Sequence, residues 1–375
     1  MTKTDSILPV LIIGGGPVGL FLAICLLKKG IDCKVLEKRQ NPIPDSRSLG
    51  IHPVSLELFD KLGITKPFLE QGVKILRGFA MTEEKTLGEI SFESGKKPHN
   101  YILACPQFYT EEILRNELIK LNPKALLTGA EFSDFKEDAS EVMTSFRIDG
   151  ALQQIKSHFL VGCDGKNSMV RQKASIHFSG KRYPDTYIMG DFEDTTQFGA
   201  DAVVFLPKGG MIECFPLPNG MRRWVVKTEE YLSSPTKNDL AELVKKRIDY
   251  NLFEVESTML SSFGVQHFMA ESFVKNRIIL AGDAAHVVSP IGGQGMNLGW
   301  LGAWELTNHL SASGDEKLHE YHSTHKKVVR KAARRAEINM VLGRSLPAVR
   351  NLVVKMMISA PFSRKTVKMF TMRDL

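Results

Sequence analysis

A glycine cluster near the start of the chain has the spacing needed to bind a pyrophosphate. Gly14, Gly16 and Gly19 form a Gly-x-Gly-x-x-Gly motif directly after the apolar run 7–13. In such a motif the first glycine permits a tight turn, the second lets the backbone approach the pyrophosphate, and the third lets helix and strand pack closely. The amides that begin the next helix would face the phosphate charge. These residues therefore predict a dinucleotide site.

An acidic residue lies where such a site holds its ribose. Glu37 follows Gly19 by 18 residues and ends a second short strand-like run that begins at Cys33. A carboxylate in that place can accept hydrogen bonds from the ribose of an adenosine. The glycine motif and the acid together do not separate NAD from FAD.

A second strand-turn-helix pattern lies in the middle of the chain. The apolar residues 159–161 lead into Gly162-Cys163-Asp164-Gly165, and Arg171 follows on a short predicted helix. Asp164 can contact the phosphate and sugar region of a cofactor, and Arg171 can pair with a carboxylate or a phosphate. Taken alone, the pattern also fits a strand-turn-helix that binds nothing.

The most specific pattern lies in the last third of the chain. The apolar run 278–281 delivers Asp283 at the carboxyl end of a predicted strand, where α/β proteins bind their ligands. Asp283 can accept a hydrogen bond from a ribityl hydroxyl. Gly292, Gly293 and Gly295 then open a long predicted helix, whose first amides can stabilise negative charge on a reduced ring.

These motifs need a parallel sheet and helices to position them. The run 7–13, the helical pattern 18–29 and the run 33–36 form a βαβ start. Alternating short runs with hairpin turns at Gly209-Gly210 and Asn219-Gly220 predict a β-rich region, and helical patterns dominate after Gly295. The sequence predicts an α/β fold in two domains: a discontinuous nucleotide-binding domain with C-terminal helices over 1–78, 102–178 and 270–375, and a substrate domain over 79–101 and 179–269.

Composition and charge exclude several classes of protein. Hydrophobic residues make up 43% of the 375 residues and charged residues 24%, which is ordinary for a folded chain. The net charge of +7 is uneven: residues 317–375 hold 14 Lys and Arg against 3 Asp and Glu, a net of 14 − 3 = +11, so the remainder sums to −4. We therefore expect no nucleic-acid partner for the molecule as a whole.

Cysteine usage and hydropathy bear on the compartment. The five cysteines are odd in number and form neither a C-x-x-C pair nor a Cys/His cluster, which predicts no disulfide framework and no metal site. The uncharged stretch 8–27 is long enough to span a bilayer, but its glycines and Pro17 would break a spanning helix, and it lacks a signal-peptide cleavage pattern. We therefore expect a cytoplasmic protein.

In this order and spacing, the three motifs resemble those of the group A flavoprotein monooxygenases, the para-hydroxybenzoate hydroxylase-like family of FAD-dependent aromatic hydroxylases. The resemblance covers about 7–310 and implies a Rossmann-like FAD-binding domain with an inserted β-sheet substrate domain and a C-terminal helical segment. In the family, Pro290 would lie beside the flavin ring and 295–297 at its pyrimidine edge. The positions that match the family's FAD-contacting residues are Gly14, Gly16, Pro17, Gly19, Glu37, Arg47, Gln107, Asp164, Gly282, Asp283, Pro290, Gly295, Met296 and Asn297.

The resemblance also implies a reaction. NAD(P)H, binding transiently because the chain has a single Gly-x-Gly-x-x-Gly motif, reduces FAD; O₂ then adds to give a C4a-hydroperoxide, whose distal oxygen passes to an electron-rich, phenolic or other aromatic ring. The cofactor carries this chemistry, so no side chain is assigned a catalytic role. Two alternatives stay open: an epoxidase, Baeyer–Villiger oxygenase or lipid reductase of the same fold, and a nucleotide-binding module without oxygen chemistry.

Several residues are candidates for substrate contact, and each also fits a purely structural role. A histidine close to the expected flavin arginine could instead cap a helix, and aromatic residues on the predicted hairpins could simply pack the sheet. The candidates are His52, Phe205, Phe215, Trp224, Pro290 and Gly293.

The basic C-terminal tail has two interpretations. Lys326, Lys327, Arg334 and Arg335 recur at helical spacing, and a more apolar stretch follows at 352–358. We favour a solvated helical face that backs the FAD domain, with Leu352, Val353, Met356 and Met357 buried. The alternative is weak contact with an anionic membrane surface.

Overall fold

The structure, a computed structural model, describes residues 7–42, 48–93, 97–290, 292–310, 316–344 and 347–375. Its helices are α1 (Pro17–Lys28), α2 (Pro53–Leu62), α3 (Thr65–Gln71), α4 (Gln107–Leu121), α5 (Met169–Lys173), α6 (Lys237–Ile248), α7 (Gln294–Leu310), α8 (Glu316–Arg344), α9 (Pro347–Ile358) and α10 (Ser363–Phe370). Its strands are β1 (Leu8–Ile13), β2 (Cys33–Glu37), β3 (Gly50–Ile51), β4 (Val73–Ile75), β5 (Arg77–Met81), β6 (Thr86–Ser91), β7 (Ile102–Ala104), β8 (Leu126–Thr128), β9 (Glu131–Glu137), β10 (Val142–Ile148), β11 (Ala151–Gly162), β12 (Phe178–Glu193), β13 (Ala202–Phe205), β14 (Ile212–Pro216), β15 (Met221–Thr228), β16 (Ser257–Ala270), β17 (Val274–Lys275), β18 (Ile278–Leu280) and β19 (His286–Val287).

The first sheet carries the three motifs. Its strand order is β17-β18-β11-β1-β2-β8, with β10 and β9 added beside β11. Strand β1 lies in the centre, parallel to both β2 and β11, and its apolar run is buried as expected for a strand covered on both faces. Ile13 pairs with Leu36 and with Gly162, and Gly162 pairs with Leu280. The turns after β1, β2, β11 and β18 therefore meet at one edge of the sheet.

The second sheet has the order β19-β16-β12-β15-β14-β13-β5-β6 and is mostly antiparallel. One of its faces packs on α6 through the buried residues Leu240, Ala241 and Val244. Thr236 begins α6 with a capping box, since its side chain accepts from the Asp239 amide while the Asp239 carboxylate accepts from the Thr236 amide. The other face of the sheet turns toward the first domain and the C-terminal helices.

A small third sheet, with the order β3-β7-β4, lies between the two larger ones. Its strand β3 leads into His52 and α2, and its strand β7 leads into α4. The strands of the second sheet come from 77–91, 178–270 and 286–287. The domain boundaries expected from the sequence stay a prediction.

The C-terminal helices bridge the two larger sheets. In α8 the Tyr321 hydroxyl donates to the Leu280 carbonyl of the first sheet, while Glu337 accepts from Tyr183 of the second. In α9 the buried Arg350 guanidinium donates to the carbonyls of Leu206 and Pro207. This helical segment therefore ties both sheets together.

The expectation that the apolar residues of α9 are buried is wrong in part. Leu352 is 62% exposed and Met356 is 50% exposed, whereas Val353 and Met357 are half-buried. The reason is that α9 turns its Arg350 and Ile358 side chains toward the second sheet, which leaves Leu352 and Met356 facing solvent.

Several basic residues of α8 form hydrogen bonds or ion pairs within the protein. The structure gives no support to membrane contact through the tail. No helix in the described part of the chain is long and apolar enough to cross a membrane.

A close contact between α7 and α8 predicts a stability effect. A Cβ on Gly302 would lie 2.4 Å from Nε2 of His325, a ring that is 1% exposed and stacked on Tyr321. We expect Gly302→Ala to lower the free energy of unfolding by about 1–3 kcal/mol through overpacking, although alanine is the better helix former. Urea denaturation checks this. The control is Gly264→Ala, where a Cβ has no atom within 4 Å, and an equal loss in both variants would contradict the assignment.

Candidate active site

The glycine turn after β1 leaves room beside its backbone. Gly14 has φ +107°, and a Cβ there would lie 2.4 Å from the Cys163 carbonyl oxygen. A Cβ on Gly19 would lie 2.0 Å from the Gly14 carbonyl oxygen, so β1, α1 and β11 are packed backbone against backbone. Gly16 differs, because no atom lies within 4 Å of the place its Cβ would take. Helix α1 begins there at Pro17 without a side-chain cap, so its first amides face this open space.

Glu37 holds the glycine turn as well as ending β2. Its Oε2 accepts from the Gly15 amide at 2.7 Å, and its Oε1 accepts from the amide and the Nε of Arg39 at 2.9 Å. Burial opposes ionisation, but these hydrogen bonds outweigh it and hold the pKa of Glu37 below its usual value. The buried carboxylate is therefore charged at neutral pH and retains lone pairs for a ribose.

The second motif contains an unpartnered buried oxygen. Oδ2 of Asp164 accepts from the Val170 amide at 3.1 Å, whereas its buried Oδ1 has no hydrogen-bond partner. Burial also raises the pKa of Asp164. The Arg171 guanidinium donates to the carbonyls of Ala284 and Lys166 and stacks on Phe178. Arg171 therefore ties the second motif to the third.

The third motif places Asp283 in a short 3₁₀ turn after β18. Gly282 before it has φ +60° and packs against Val18 of α1, so the turn lies directly beside the glycine motif. The Asp283 side chain is accessible at its tip, while the protein around it removes water from the carboxyl and thereby raises its pKa to about 6. This combination describes a carboxyl on the wall of a groove.

Pro290, Gly292 and Gly293 and the start of α7 lie next to this motif. The Gly293 amide donates to the Pro290 carbonyl at 2.9 Å, and Pro290 is exposed. The Asn297 side chain is fully engaged: Oδ1 accepts from the His52 amide and the Ser55 hydroxyl, and Nδ2 donates to the carbonyls of Gly50 and Gly293. Asn297 therefore joins this turn to the 50–55 segment, and any contact with a flavin would come from its backbone. Met296 beside it is half-buried, as is Gly295.

The 48–55 segment meets α4 and the turn. The Gln107 amide donates to the Ser48 carbonyl at 2.9 Å, and the Gln107 side chain donates to Glu111. His52 is buried, with Nε2 3.1 Å from the Gly292 carbonyl oxygen, and burial lowers the pKa of His52 to about 4. The imidazole is therefore neutral at pH 7. Arg47 lies outside the described residues.

The aromatic substrate candidates fall on opposite faces of the second sheet. Phe205 and Trp224 stack with an interplanar angle of 8° and are buried against α6, which makes them core residues of that layer. Phe215 lies on the other face, in a cluster with Ile102 of the third sheet. The structure therefore brings Phe215, but neither Phe205 nor Trp224, toward the segment that carries His52.

The chain's own C-terminus completes this region, which the sequence did not indicate. Val367 and Phe370 of α10 pack in the same cluster as Phe215, and Met372 is 1% exposed beside Val288 and Leu298. Two ion pairs hold the end: Arg373 binds Glu57 of α2, and Asp374 accepts two bonds from Arg335 of α8 at 2.6 and 2.8 Å. The last residues thus form one wall of the region between the sheets. Among the described residues, no three His, Cys, Asp or Glu side chains are arranged to hold a metal ion.

Comparison with known proteins agrees with this geometry. Residues 8–336 match the protein family described as FAD binding domain. The chain is 33% identical over 311 residues to an uncharacterized aromatic compound monooxygenase of Bacillus subtilis, covering 80% of this chain and 61% of the relative. It is 29% identical over 318 residues to pentachlorophenol 4-monooxygenase of Sphingobium chlorophenolicum, covering 79% of this chain and 57% of the relative.

Solved structures show the same fold. Superposition on p-nitrophenol 4-monooxygenase from Pseudomonas putida DLL-E4 gives a TM-score of 0.89 at 20% identity, covering 98% of this chain and 99% of that one. The OxyS anhydrotetracycline hydroxylase from Streptomyces rimosus gives a TM-score of 0.81 at 27% identity, covering 98% of this chain and 76% of that one. The predicted α/β fold with a Rossmann-like FAD-binding region is confirmed.

The chain belongs to the protein family described as FAD binding domain, and the two relatives named above are monooxygenases. FAD is accordingly its cofactor, and the residues present fit it: open space beside Gly16, free amides at α1, an unpartnered Asp164 oxygen and an accessible Asp283 line one edge of the sheet. The chain spans about three fifths of the length of the two relatives named above.

The open space at Gly16 gives a first prediction on the cofactor. In Gly16→Val the added Cβ would have no atom of a non-neighbouring residue within 4 Å, so we expect the apo protein to fold and to lose FAD. Circular dichroism and the flavin absorbance of the purified protein measure the two effects separately. Gly14→Val serves as the contrast, because its Cβ would strike the Cys163 carbonyl and the fold itself should suffer. A folded Gly16→Val protein with full flavin content would contradict this role.

The groove-wall carboxyl gives a second prediction. Asp283→Ala removes a charged acceptor for a ribityl hydroxyl and should cost about 1.5–3 kcal/mol, or roughly tenfold to a hundredfold in FAD affinity. The carboxyl is ionised only above about pH 6, so FAD affinity of the parent protein should fall as pH drops below that value. Titration of apo protein with FAD measures both, with the exposed Glu84→Ala as control. Unchanged affinity in Asp283→Ala would refute the assignment.

Proposed function

We propose that the protein is an NAD(P)H-using flavoprotein monooxygenase that hydroxylates a small aromatic, phenolic substrate with O₂. The observation that carries this proposal is the convergence of the three motifs on one edge of the first sheet. The 48–55 segment beside them packs, through Leu49, in one apolar cluster with Phe215 of the second sheet. Relatives named as monooxygenases of pentachlorophenol and of other aromatic compounds support it.

The chain's residues have distinct tasks in this reaction. Bound FAD supplies the redox and oxygen chemistry. The amides of α1, Glu37, Asp164 and Asp283 would hold its phosphates and sugars. The first amides of α7 would stabilise negative charge on its ring if the ring binds near them. His52 is neutral at pH 7 and would add no positive charge there.

Exclusion of water is the second task. Phe215, Val367 and Phe370 present apolar surface between the sheets, and the C-terminal residues close the region from one side. A dry site favours transfer of oxygen to substrate over loss of the oxidant to side reactions. Pro290 and Gly293 lie on the turn beside His52 and remain candidates for substrate contact.

The reducing cytoplasm remains the proposed location of the protein, and its five free cysteines support this proposal.

A panel of phenols tests the function. The purified protein should be yellow, and a substrate should stimulate both NAD(P)H consumption and O₂ uptake. The product should carry one added oxygen atom by mass spectrometry. Substrate-stimulated NAD(P)H consumption without any oxygenated product would point to a reductase, and a colourless protein that cannot take up FAD would refute the proposal.

The C-terminal wall gives a prediction of its own. The C-terminus is held by two ion pairs, Arg373 with Glu57 and Asp374 with Arg335. A double variant, Arg373→Ala with Asp374→Ala, removes both pairs and should let water reach the site. We expect the double variant to form more hydrogen peroxide and less product than the parent protein, with a similar FAD content in both. The ratio of product to NAD(P)H consumed measures this. The control is Lys365→Ala, which changes an exposed residue of α10. An equal ratio of product to NAD(P)H consumed in the parent, the double variant and the control would show that the C-terminus does not seal the site.

A further inference from the structure

Strand β14 presents a carboxylate on the face of the second sheet that turns toward the proposed substrate region. Along β14 the residues alternate, with Ile212 and Cys214 buried against the α6 layer and Glu213 and Phe215 half-buried on the opposite face. Glu213 therefore shares a face with Phe215, whose cluster includes α10. Both side chains are half-buried, so this face is partly accessible from outside the protein.

The neighbours of Glu213 on this face are apolar. It lies directly opposite Val204 on β13 and Val225 on β15, with Phe215 two residues along its own strand. Val225 and Phe215 belong to a cluster that includes Met340 of α8. No side chain among the described residues forms a hydrogen bond or ion pair with the Glu213 carboxylate. A half-buried carboxylate with no side-chain partner can accept a hydrogen bond from a molecule that reaches this face.

The charged groups around it are already paired with others. On β15, Arg223 binds Asp191 at 2.6 and 2.7 Å, and Lys227 binds Asp185 at 3.0 Å. On the C-terminal helices, Arg350 donates to backbone carbonyls and Glu337 binds Lys181 and Tyr183. Burial, with no compensating charge, raises the pKa of Glu213 to about 7.

We propose that Glu213 recognises the substrate by accepting a hydrogen bond from a hydroxyl group on its aromatic ring. The inference rests on the function proposed above and narrows the substrate to a neutral aromatic compound with a ring hydroxyl. An aromatic acid would place a second negative charge in the same apolar surroundings, which the site disfavours. A hydrogen bond from the hydroxyl to a carboxylate also increases the electron density of the ring, which oxygen transfer to the ring requires.

The proposal predicts a pH dependence with a definite sign. The acceptor is the carboxylate form, which becomes populated as pH rises through about 7. Affinity for a neutral phenol should therefore increase between pH 6 and pH 8 in the parent protein. The Glu213→Gln variant should lose this dependence, because its amide does not titrate.

Matched pairs of ligands test the proposal on the FAD-loaded protein. The probes are phenol and anisole, and 1-naphthol and its methyl ether, with benzoate as the aromatic acid. Perturbation of the flavin absorbance gives their dissociation constants without turnover. We expect the parent to prefer each phenol over its ether by roughly tenfold or more, and Glu213→Gln to lose that preference while keeping its FAD. Glu305→Gln is the control: burial also raises the pKa of Glu305 to about 7, but Glu305 lies on α7, where its carboxylate is 3.9 Å from His325 of α8.

The outcomes separate this inference from the function on which it rests. A parent that prefers phenols and a Glu213→Gln variant that retains the preference would overturn the role of Glu213 alone. Equal affinity for phenols and ethers in the parent, or tighter binding of benzoate, would overturn the proposed substrate class. An FAD-loaded parent that binds none of the five probes would contradict the proposed function itself.

Discussion

Close approach of backbones at one edge of the first sheet is the constraint on which the rest of the structure depends. The Gly14 amide donates to the Leu36 carbonyl, the Cys163 amide donates to the Ile13 carbonyl, and a side chain at Gly14 or Gly19 would separate these strands from α1. Because the strands meet so closely, three motifs distant in sequence line one groove. The same closeness leaves the space beside Gly16 as the place where a pyrophosphate can reach the backbone.

The parts of the site that local spacing determines were predictable from the sequence. The glycine turn, Glu37 at the end of β2 and Asp283 at the end of β18 are positions along single strand-turn-helix units, and the structure places them at one edge. That Glu37 also binds the Gly15 amide was not indicated, because a hydrogen bond between separate turns depends on how the strands pair. The fully engaged side chain of Asn297 escaped prediction for the same reason.

The substrate side was less predictable, since both faces of the second sheet carry large apolar residues. Alternation along β15 puts Trp224 on one face and Val225 on the other, but only the packing of α6 decides which face is sealed. Phe205 and Trp224 therefore could not be separated from Phe215 in advance. The docking of the C-terminus was equally hidden, because Arg373 and Asp374 meet partners far from them in sequence. Among the residues that the structure describes, Glu213 is an acid of this apolar region whose carboxylate has no side-chain partner.

Oxygen transfer is the central claim, and isotopically labelled O₂ tests it most directly. A substrate that stimulates NAD(P)H consumption would be turned over by the FAD-loaded protein under labelled O₂ in ordinary water, and the product would be analysed by mass spectrometry. We predict one labelled oxygen atom in each product molecule, bonded to the aromatic ring. Product with unlabelled oxygen from water, or NAD(P)H consumption whose only oxygen product is labelled hydrogen peroxide, would contradict it.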